Sequence, residues 1–474
     1  MSIIRSCFLA DKVAVFADRT STDSLTLYYQ PCYFEVLIMK FWYKSLAFVL
    51  LAALMIYPWQ NGGGYPVMDG VNKTNIRRLV RLERMDSAKF VRTLPYGARH
   101  GLQYVRLNLM DRPIDSNLID RDAELEADLE RLIPNRGRAY SVALMDITEG
   151  REPRYAERNA TLGYQPGSVG KLAVVTAFMC ELENVFVDDV EARWDMMRNK
   201  VVRGGEFAVY DHHTIPEYDP ETERYSRPRV NQNHEFSLYE WVDHMLSVSN
   251  NGAASVVWRE AILMRAFGTK YPELTQEEAD QYFKDTPRGE LRDIGENVVN
   301  EPLRHLGIKH EEWRLGTMFT RGASAIVPPK GGSIGTPRGL MKWMVALESG
   351  DVVDAASSLE IKRLMYMTDR RIRYAHAPAL DSAAVYFKSG SLYGCKPGTS
   401  CGKYKGNRMN YMNSLCIVEQ PDGTRYLVAL ETNVLSRNSA YDHQVLATRI
   451  DKLVRTSADE AEGENLPENI STGE

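Results

Sequence analysis

The sequence predicts an α/β (α+β) fold with a single antiparallel sheet formed from both ends of one domain. Helices flank this sheet, and a large all-helical subdomain lies between its two halves in the chain. Three observations predict this: a strand pair near residues 139–157, helical periodicity between 172 and 368, and three late strands followed by a helix. Strands at both ends of a helical stretch bury their apolar faces most simply in one shared sheet.

The first half of the domain alternates strand and helix patterns. An amphipathic pattern predicts a helix over 119–134, and apolar runs predict a strand over 139–147 and a return strand over 153–157. Ser237 and Glu240 form a capping-box pattern at the start of a helix. Further helices are predicted over 172–186, 237–247, 253–267, 337–350 and 355–368, whereas 188–235 resembles an insertion and 268–300 is polar and loop-like with some helix.

The last part of the domain predicts three strands and a closing helix. The strands cover 383–389, 411–419 and 425–432, and the helix covers 442–455. Pro421-Asp-Gly supplies a turn of the kind that joins the last two strands into a hairpin.

Composition sets the class of protein and the domain boundaries. The chain has 474 residues, of which 44% are hydrophobic and 26% charged, with a net charge of −5. This is ordinary globular composition, and the acidic balance argues against nucleic acid as a partner. The predicted divisions are an upstream extension with no folding role (1–38), a signal peptide or membrane anchor (39–60), a lead-in segment (61–118), the folded domain (119–456) and an acidic disordered tail (457–474).

The segment over 39–60 predicts export from the cytoplasm. An apolar run at 45–59 follows Lys40 and Lys44, which is the order of charge and hydrophobicity in a signal peptide or N-terminal anchor. We therefore expect the folded domain in the periplasm or on the outer face of the cytoplasmic membrane, with membrane contact through the N-terminal segment only.

Cysteine and histidine spacing predicts a disulfide and no metal site. Cys395 and Cys401 flank a short turn-rich loop, and export would allow them to pair. Asp211-His212-His213 has metal-ligating residue types but no partner motif, so we predict neither a metal nor another cofactor.

Three short patterns contain residues capable of acyl-transfer chemistry. Ser168-Val-Gly-Lys171 precedes an apolar helix, where residues three apart share a face and a buried lysine can accept the serine proton. Ser249-Asn250-Asn251 links two helices, and Lys388-Ser389-Gly390-Ser391 ends a strand. Each alone is also typical of a capped helix, a linking turn or a strand end, and Ser400-Cys-Gly-Lys403 repeats the first spacing.

In this order, and on these elements, the three patterns resemble the Ser-x-x-Lys, Ser-Asp-Asn and Lys-Thr-Gly motifs of the serine β-lactamase and penicillin-binding protein superfamily. The resemblance covers about residues 119–456 and is closest to the class A β-lactamase-like serine hydrolases. The chain departs from the family pattern at Asn250, where an aspartate is usual, and at Ser389, where a threonine is more common.

The resemblance implies a role for each motif residue. Ser168 would be the acylated nucleophile, Lys171 its base or proton relay, and Ser249 the proton donor to the leaving nitrogen. Lys388 would hold the proton network and the substrate carboxylate. Asn251, Ser389, Gly390 and Ser391 would bind substrate, and the backbone N–H groups of Ser168 and Ser391 would form the oxyanion hole.

Class A enzymes also use a glutamate to activate the water that hydrolyses the acyl-enzyme. Glu296, in Glu296-Asn-Val-Val-Asn300, matches that spacing loosely but precedes the helix it should follow. The stretch after Ile308 contains no glutamate where the resemblance places one, so deacylation is expected to limit turnover.

The resemblance thus implies a serine hydrolase that acts on a β-lactam amide through an acyl-enzyme. Two alternatives stay open: a penicillin-binding DD-peptidase or related amide or ester hydrolase that acts on peptidoglycan stem peptides in the cell envelope, and an inactive envelope binding or scaffold protein.

Overall fold

A five-stranded antiparallel sheet organises the part of the chain that the computed structural model describes, residues 66–87, 95–133 and 137–464. Its strands are β1 (Tyr140–Asp146), β2 (Arg154–Arg158), β3 (Ala384–Gly394), β4 (Met409–Glu419) and β5 (Arg425–Asn433). Their spatial order is β2-β1-β5-β4-β3, which places the late strand β5 beside the early strand β1. The predicted sheet formed from both ends of the domain is therefore confirmed.

Thirteen α-helices surround this sheet within the described ranges. They are α1 (Pro66–Thr74), α2 (Arg77–Ser87), α3 (Ala123–Leu132), α4 (Lys171–Val185), α5 (Val190–Asn199), α6 (Leu238–Leu246), α7 (Asn251–Phe267), α8 (Gln276–Asp285), α9 (Arg288–His305), α10 (Arg321–Ile326), α11 (Pro337–Ser349), α12 (Ala355–Tyr366) and α13 (Ala440–Glu464).

Short elements complete the described chain. Single 3₁₀ turns cover Tyr96–Ala98, Leu102–Tyr104, Gly137–Ala139, Gly167–Gly170, Gly205–Ala208, Gly268–Glu273, Arg373–His376 and Pro378–Leu380. Two-stranded ladders pair Val201–Arg203 with Glu235–Ser237, Glu217–Tyr218 with Tyr225–Ser226, and Trp313–Arg314 with Ile334–Gly335. The region between the two halves of the sheet is thus mainly, but not entirely, helical.

The two faces of the sheet belong to different hydrophobic clusters. Along β1, Val142 and Leu144 pack with α3 and α13, whereas Ala143 and Met145 pack with the helical region. This alternation follows from the two-residue side-chain period of a strand. Because both faces are covered, every residue of β1 is buried. Helices α4 and α7 lie deep in the cluster that contains Ala143 and Met145. They begin at Lys171 and Asn251, the last residues of the first two motifs.

Local sequence sets several helix boundaries as predicted. Ser237 and Glu240 form the predicted capping box at the start of α6. Thr336 caps α11, Pro337 occupies its first turn, and Gly350 ends it in the left-handed conformation at φ +82°.

Residues 268–300 are mostly helical, unlike the predicted loop-rich stretch. They include α8, which has its own capping box at Thr275 and Glu278, and most of α9. The helices are hard to recognise because α8 is strongly polar and α9 contains Gly295 and Pro302. A side chain at Gly295 would approach Val327 to 2.6 Å, so the glycine allows close packing.

Residues 66–87 and 95–118 are an integral part of the folded unit that contains the sheet. Ile76, Leu79 and Leu109 are buried in the cluster that contains α4 and α7. The predicted domain start at residue 119 is therefore too late, because charged residues conceal the apolar positions of this segment.

The C-terminal boundary also differs from the prediction. Helix α13 continues to Glu464, so 457–464 are helical, whereas 465–474 lie outside the described residues. The predicted extension over 1–38 and the signal or anchor over 39–60 also lie outside them. Within the described ranges, no helix combines the length and hydropathy that a membrane span requires.

Candidate active site

The turn that carries Ser168 lies directly against edge strand β3, which continues beyond its predicted end at residue 389 to Gly394. Gly167 has φ +53°, and a side chain there would approach the Ser391 backbone nitrogen to 2.7 Å. A side chain at Gly390 would collide with the Pro166 carbonyl. Two glycines therefore allow the first and third motifs to meet, and the half-buried Ser168 lies where helix α4 begins.

Lys171 is fully buried directly below Ser168. Its Nζ lies 3.1 Å from Ser168 Oγ and donates to Asn251 Oδ1 at 2.8 Å and to the Ser249 carbonyl at 2.5 Å. Burial lowers the pKa of Lys171 to about 7, with a smaller opposing effect of Asp211. A neutral amine this close to a hydroxyl can accept its proton.

Ser249 joins the first motif to the third. Its backbone has φ +62°, which is uncommon for a residue other than glycine. Its Oγ lies 3.3 Å from Lys171 Nζ and accepts a hydrogen bond from Lys388 Nζ at 2.8 Å. The hydroxyl thus lies between two amines, so a proton can pass through it.

Lys388 is the second buried amine of the site, and 2% of its surface is exposed. Its Nζ donates to Ser249 Oγ and, at 3.2 Å, to the Ser389 carbonyl. Burial and the nearby positive charges of Lys171 and Arg373 hold the pKa of Lys388 well below its ordinary value of 10.5.

Ser168, Ser249 and Lys388 line one cleft, and two arginines that the motifs did not indicate line it as well. Arg373 has φ +54° and donates to the Gly390 carbonyl at 2.5 Å and to Ser391 Oγ at 3.0 Å, which fixes the end of β3. Arg370 lines the same cleft as Ser168 and Lys388. Among the described residues that line this cleft, none is a carboxylate, so the cleft favours an anionic ligand.

Asp211 and His213 are further site residues that motif analysis missed. Asp211 is buried, and its Oδ2 accepts from the backbone nitrogens of Asn251 at 2.7 Å and Gly252 at 3.0 Å. Its Oδ1 lies 2.7 Å from His213 Nδ1. Burial raises the pKa of Asp211. Hydrogen bonds that the carboxylate accepts from His213 and from backbone N–H groups outweigh this effect, so the pKa lies below its usual value.

The departure from the family pattern at Asn250 has a structural counterpart here. The Asn250 side chain accepts from the Ala253 nitrogen at 2.7 Å and donates from Nδ2 to the His213 carbonyl at 3.1 Å. An aspartate in this position has no N–H to donate to that carbonyl. Asn250 therefore fixes the 211–213 loop beside the second motif.

The remaining predicted binding residues are also near Ser168. Ser389, Gly390 and Ser391 line the cleft, whereas Asn251 does not and contacts Lys171 through its Oδ1. Ser400 and Lys403, which repeat the spacing of the first motif, are exposed and do not line the cleft. Cys395 and Cys401 form a disulfide with a Cα–Cα distance of 5.9 Å just beyond β3.

Glu296 does not line this cleft, which corrects the assignment suggested by its sequence spacing. It lies on α9 and pairs with Lys330 Nζ at 2.6 Å, and it lines a separate cavity together with Lys330 and Trp258. The stretch after Ile308 does reach the start of helix α4, but with apolar side chains. The Phe319 ring lies 5.2 Å from Lys171 Nζ, and Leu315 contacts the same turn at Gly170.

The similarity of this chain to known proteins lies in its backbone structure. No protein-family model and no curated protein sequence matches the chain. Among solved structures, the chain is similar to PBP-A, with a TM-score of 0.46, 12% identity, and coverage of 73% of this chain and 99% of that one.

Two bacterial proteins give similar values. For a β-lactamase from Chitinophaga pinensis, the TM-score is 0.44 at 14% identity, over 71% of this chain and 99% of that one. For a class A β-lactamase from Bacteroides cellulosilyticus, it is 0.45 at 15% identity, with the same coverage of 71% and 99%.

Proposed function

We propose that the protein is a serine hydrolase of the class A β-lactamase-like type, with Ser168 as the nucleophile. The observation that carries this proposal is the contact between Ser168 Oγ and the buried Lys171 Nζ, at 3.1 Å. Lys171 takes the Ser168 proton as Oγ attacks the substrate carbonyl carbon. Because the pKa of Lys171 is about 7, a large fraction of the amine is unprotonated at neutral pH.

The second step of acylation uses Ser249. The tetrahedral intermediate collapses when the carbon–nitrogen bond breaks, and the leaving nitrogen takes the Ser249 Oγ proton. Lys171 or Lys388, both within hydrogen-bond reach of Ser249 Oγ, replaces that proton. The backbone N–H groups of Ser168 and Ser391 would stabilise the oxyanion, and each donor of this kind contributes about 3–4 kcal/mol in other enzymes.

Charge in the cleft supports an anionic substrate. Lys388, Arg370 and Arg373 converge there, so a carboxylate on the substrate would be attracted and oriented. A β-lactam and a peptidoglycan stem peptide both carry a carboxylate near the scissile amide. We propose hydrolysis of a β-lactam as the reaction.

The alternative is a penicillin-binding DD-peptidase or a related amide or ester hydrolase. It is favoured by the absence of a carboxylate among the described residues that line the cleft, because a poorly activated water would leave the acyl-enzyme long-lived. An inactive envelope scaffold is disfavoured, because buried amines held without carboxylate partners destabilise a fold that has no use for them.

Labelling with a fluorescent penicillin separates these functions. We expect one label per protein, followed by its loss as the acyl-enzyme is hydrolysed. A label that persists for hours, together with release of D-alanine from a stem peptide, would indicate the peptidase. If no label forms with the folded protein, the proposed function is wrong.

We also propose that the protein is exported, with its folded domain in the periplasm or on the outer face of the cytoplasmic membrane. The positively charged and then apolar sequence before residue 60 supports this. Protease added to intact spheroplasts should cleave the protein. Full protection, with soluble protein only in the cytosol, would contradict the proposal.

A further inference from the structure

The 211–213 loop is held beside Ser168 by three hydrogen bonds. Asp211 caps the start of α7 through the Asn251 and Gly252 nitrogens, and Asn250 Nδ2 binds the His213 carbonyl. Asn251 in turn accepts from Lys171, which contacts Ser168. His213 is thus connected to Ser168 through a series of hydrogen-bonded residues, namely Asp211, Asn251 and Lys171, and it lines the same cleft as Ser168.

The hydrogen bond to Asp211 sets the orientation of the imidazole. Since a carboxylate only accepts, Nδ1 of His213 carries the hydrogen in the 2.7 Å contact. Nε2 of the neutral ring is then an acceptor, and the structure gives it no hydrogen-bond partner among the described residues. The His213 side chain is 21% exposed and lines the cleft.

The charges around His213 favour its neutral form. Burial lowers its pKa below the ordinary 6.5, and the positive charges of Lys171 and His212 act in the same direction. The hydrogen bond from His213 to Asp211 and the charge of that carboxylate oppose this without reversing it. At neutral pH the ring is therefore a proton acceptor that a carboxylate holds in place.

We propose that His213 is the general base for hydrolysis of the Ser168 acyl-enzyme, with Asp211 as its positioning residue. This rests on the proposed function. His213 Nε2 takes a proton from water, and the water oxygen attacks the ester carbonyl carbon. The ester bond to Ser168 Oγ then breaks, the proton returns to Oγ, and the carboxylic acid product leaves.

His213 and Asp211 can together activate the hydrolytic water, which Glu296 cannot do from its position. Glu296 pairs with Lys330 and does not line the cleft. The Phe319 ring lies beside Lys171 Nζ, where it cannot accept a proton from water. Among the described residues that line the cleft, His213 is the one side chain that combines a neutral base with a carboxylate to orient it.

The test compares His213→Gln with His212→Gln. His212 is adjacent in sequence, and its side chain is 79% exposed and lies outside the cleft lining, so it is a matched control. Rapid-quench mass spectrometry with a penicillin measures formation of the acyl adduct and its loss separately. In His213→Gln we expect adduct formation and a loss slowed by about 10²–10⁴-fold, the usual contribution of a general base. His212→Gln should lose the adduct at the wild-type rate.

A rescue experiment excludes a merely structural role for His213. Added imidazole should accelerate adduct loss in His213→Gly, because it can replace the missing base in the space that is left. In the wild type, the rate of adduct loss should fall as pH drops through the lowered pKa of His213, and this limb should be absent in His213→Gln.

The outcomes separate this inference from the proposed function. If the wild type forms no adduct, the proposed function fails. If it forms an adduct that His213→Gln loses at the wild-type rate, His213 is not the base and the proposed function stands. Slow loss in His213→Gly that imidazole does not accelerate would also overturn the inference.

Discussion

Two fully buried lysines of this protein have opposite surroundings. Lys362 on α12 contacts Glu348 at 2.6 Å and Glu419 at 2.7 Å, and these carboxylates raise its pKa despite the opposing effect of burial. Lys171 on α4 contacts hydroxyl, carbonyl and amide oxygens but no carboxylate, and burial lowers its pKa to about 7.

The difference shows how one residue type serves stability in one place and chemistry in another. Lys362 joins α11, α12 and β4, and Asn108 of the N-terminal segment donates to both of its carboxylate partners. Lys171 is kept buried without a compensating negative charge, which destabilises its protonated form. A buried amine in such surroundings marks a functional site better than a short motif does.

The largest expected effect is on the chemistry at Lys171. Lys171→Met should remain folded, because the substitution removes a buried group that has no carboxylate partner. Its rate of acylation by penicillin should fall by about 10²–10⁴-fold, since the proton acceptor is lost. Stopped-flow acylation and circular dichroism check the two parts. A wild-type acylation rate in this variant would assign the base to another group.

The matching change at Lys362 should affect stability and not chemistry. Lys362→Met leaves the carboxylates of Glu348 and Glu419 buried without their cation, which costs about 3–5 kcal/mol of folding free energy. Urea unfolding measures this loss. The acylation rate per folded molecule should match the wild type. A stability equal to the wild type would show that this cluster does not support the fold.

The two lysines should also differ in how stability depends on pH. The folded pKa of Lys171 is about 7, against 10.5 for the unfolded chain, so the unfolded state binds more protons between these values. Stability should therefore rise with pH over this window, and the rise should be smaller in Lys171→Met. The acylation rate should rise through about pH 7 as the amine loses its proton. Urea unfolding and acylation rates across pH 6–10 measure both, and equal slopes in the two proteins would contradict the low pKa.

The smallest effect concerns a buried carboxyl group near the loop that precedes Ser168. Glu431 on β5 is fully buried, and neither of its oxygens has a hydrogen-bond partner among the described residues. It faces Asn413, whose Nδ2 holds the Gln165 carbonyl of the loop before Ser168.

Burial raises the pKa of Glu431 well above 4.5. The folded state therefore favours the protonated carboxyl group. This contribution to the free energy of unfolding is complete below pH 4.5 and is lost as pH rises through the raised pKa. Glu431→Gln should remove this loss and stabilise the protein at pH 8 by about 1 kcal/mol. Thermal unfolding at pH 5 and pH 8 tests this. A variant less stable than the wild type at pH 8 would show that Glu431 has an unrecognised partner.

The sequence predicted those features that short patterns encode. The three motifs, the capping box at Ser237 and the hairpin between β4 and β5 each depend on residues that are close in the chain. The position of His213 beside Ser168 depends on contacts made by Asp211 across about 40 residues, and the local Asp-His-His pattern does not indicate it. The same applies to residues 66–118, where Arg78 forms a buried ion pair with Asp243, far away in the sequence.

The central claim is that Ser168 forms an acyl-enzyme with a β-lactam. The most direct measurement is peptide mapping by mass spectrometry after a short exposure to penicillin, in the wild type, Ser168→Ala and Ser400→Ala. Ser400 has the same Ser-x-x-Lys spacing on an exposed loop, which makes it the matched control. We predict one adduct, on the peptide that contains Ser168, in the wild type and in Ser400→Ala, and none in Ser168→Ala. An adduct that persists in Ser168→Ala, or that maps to Ser400, would contradict the account.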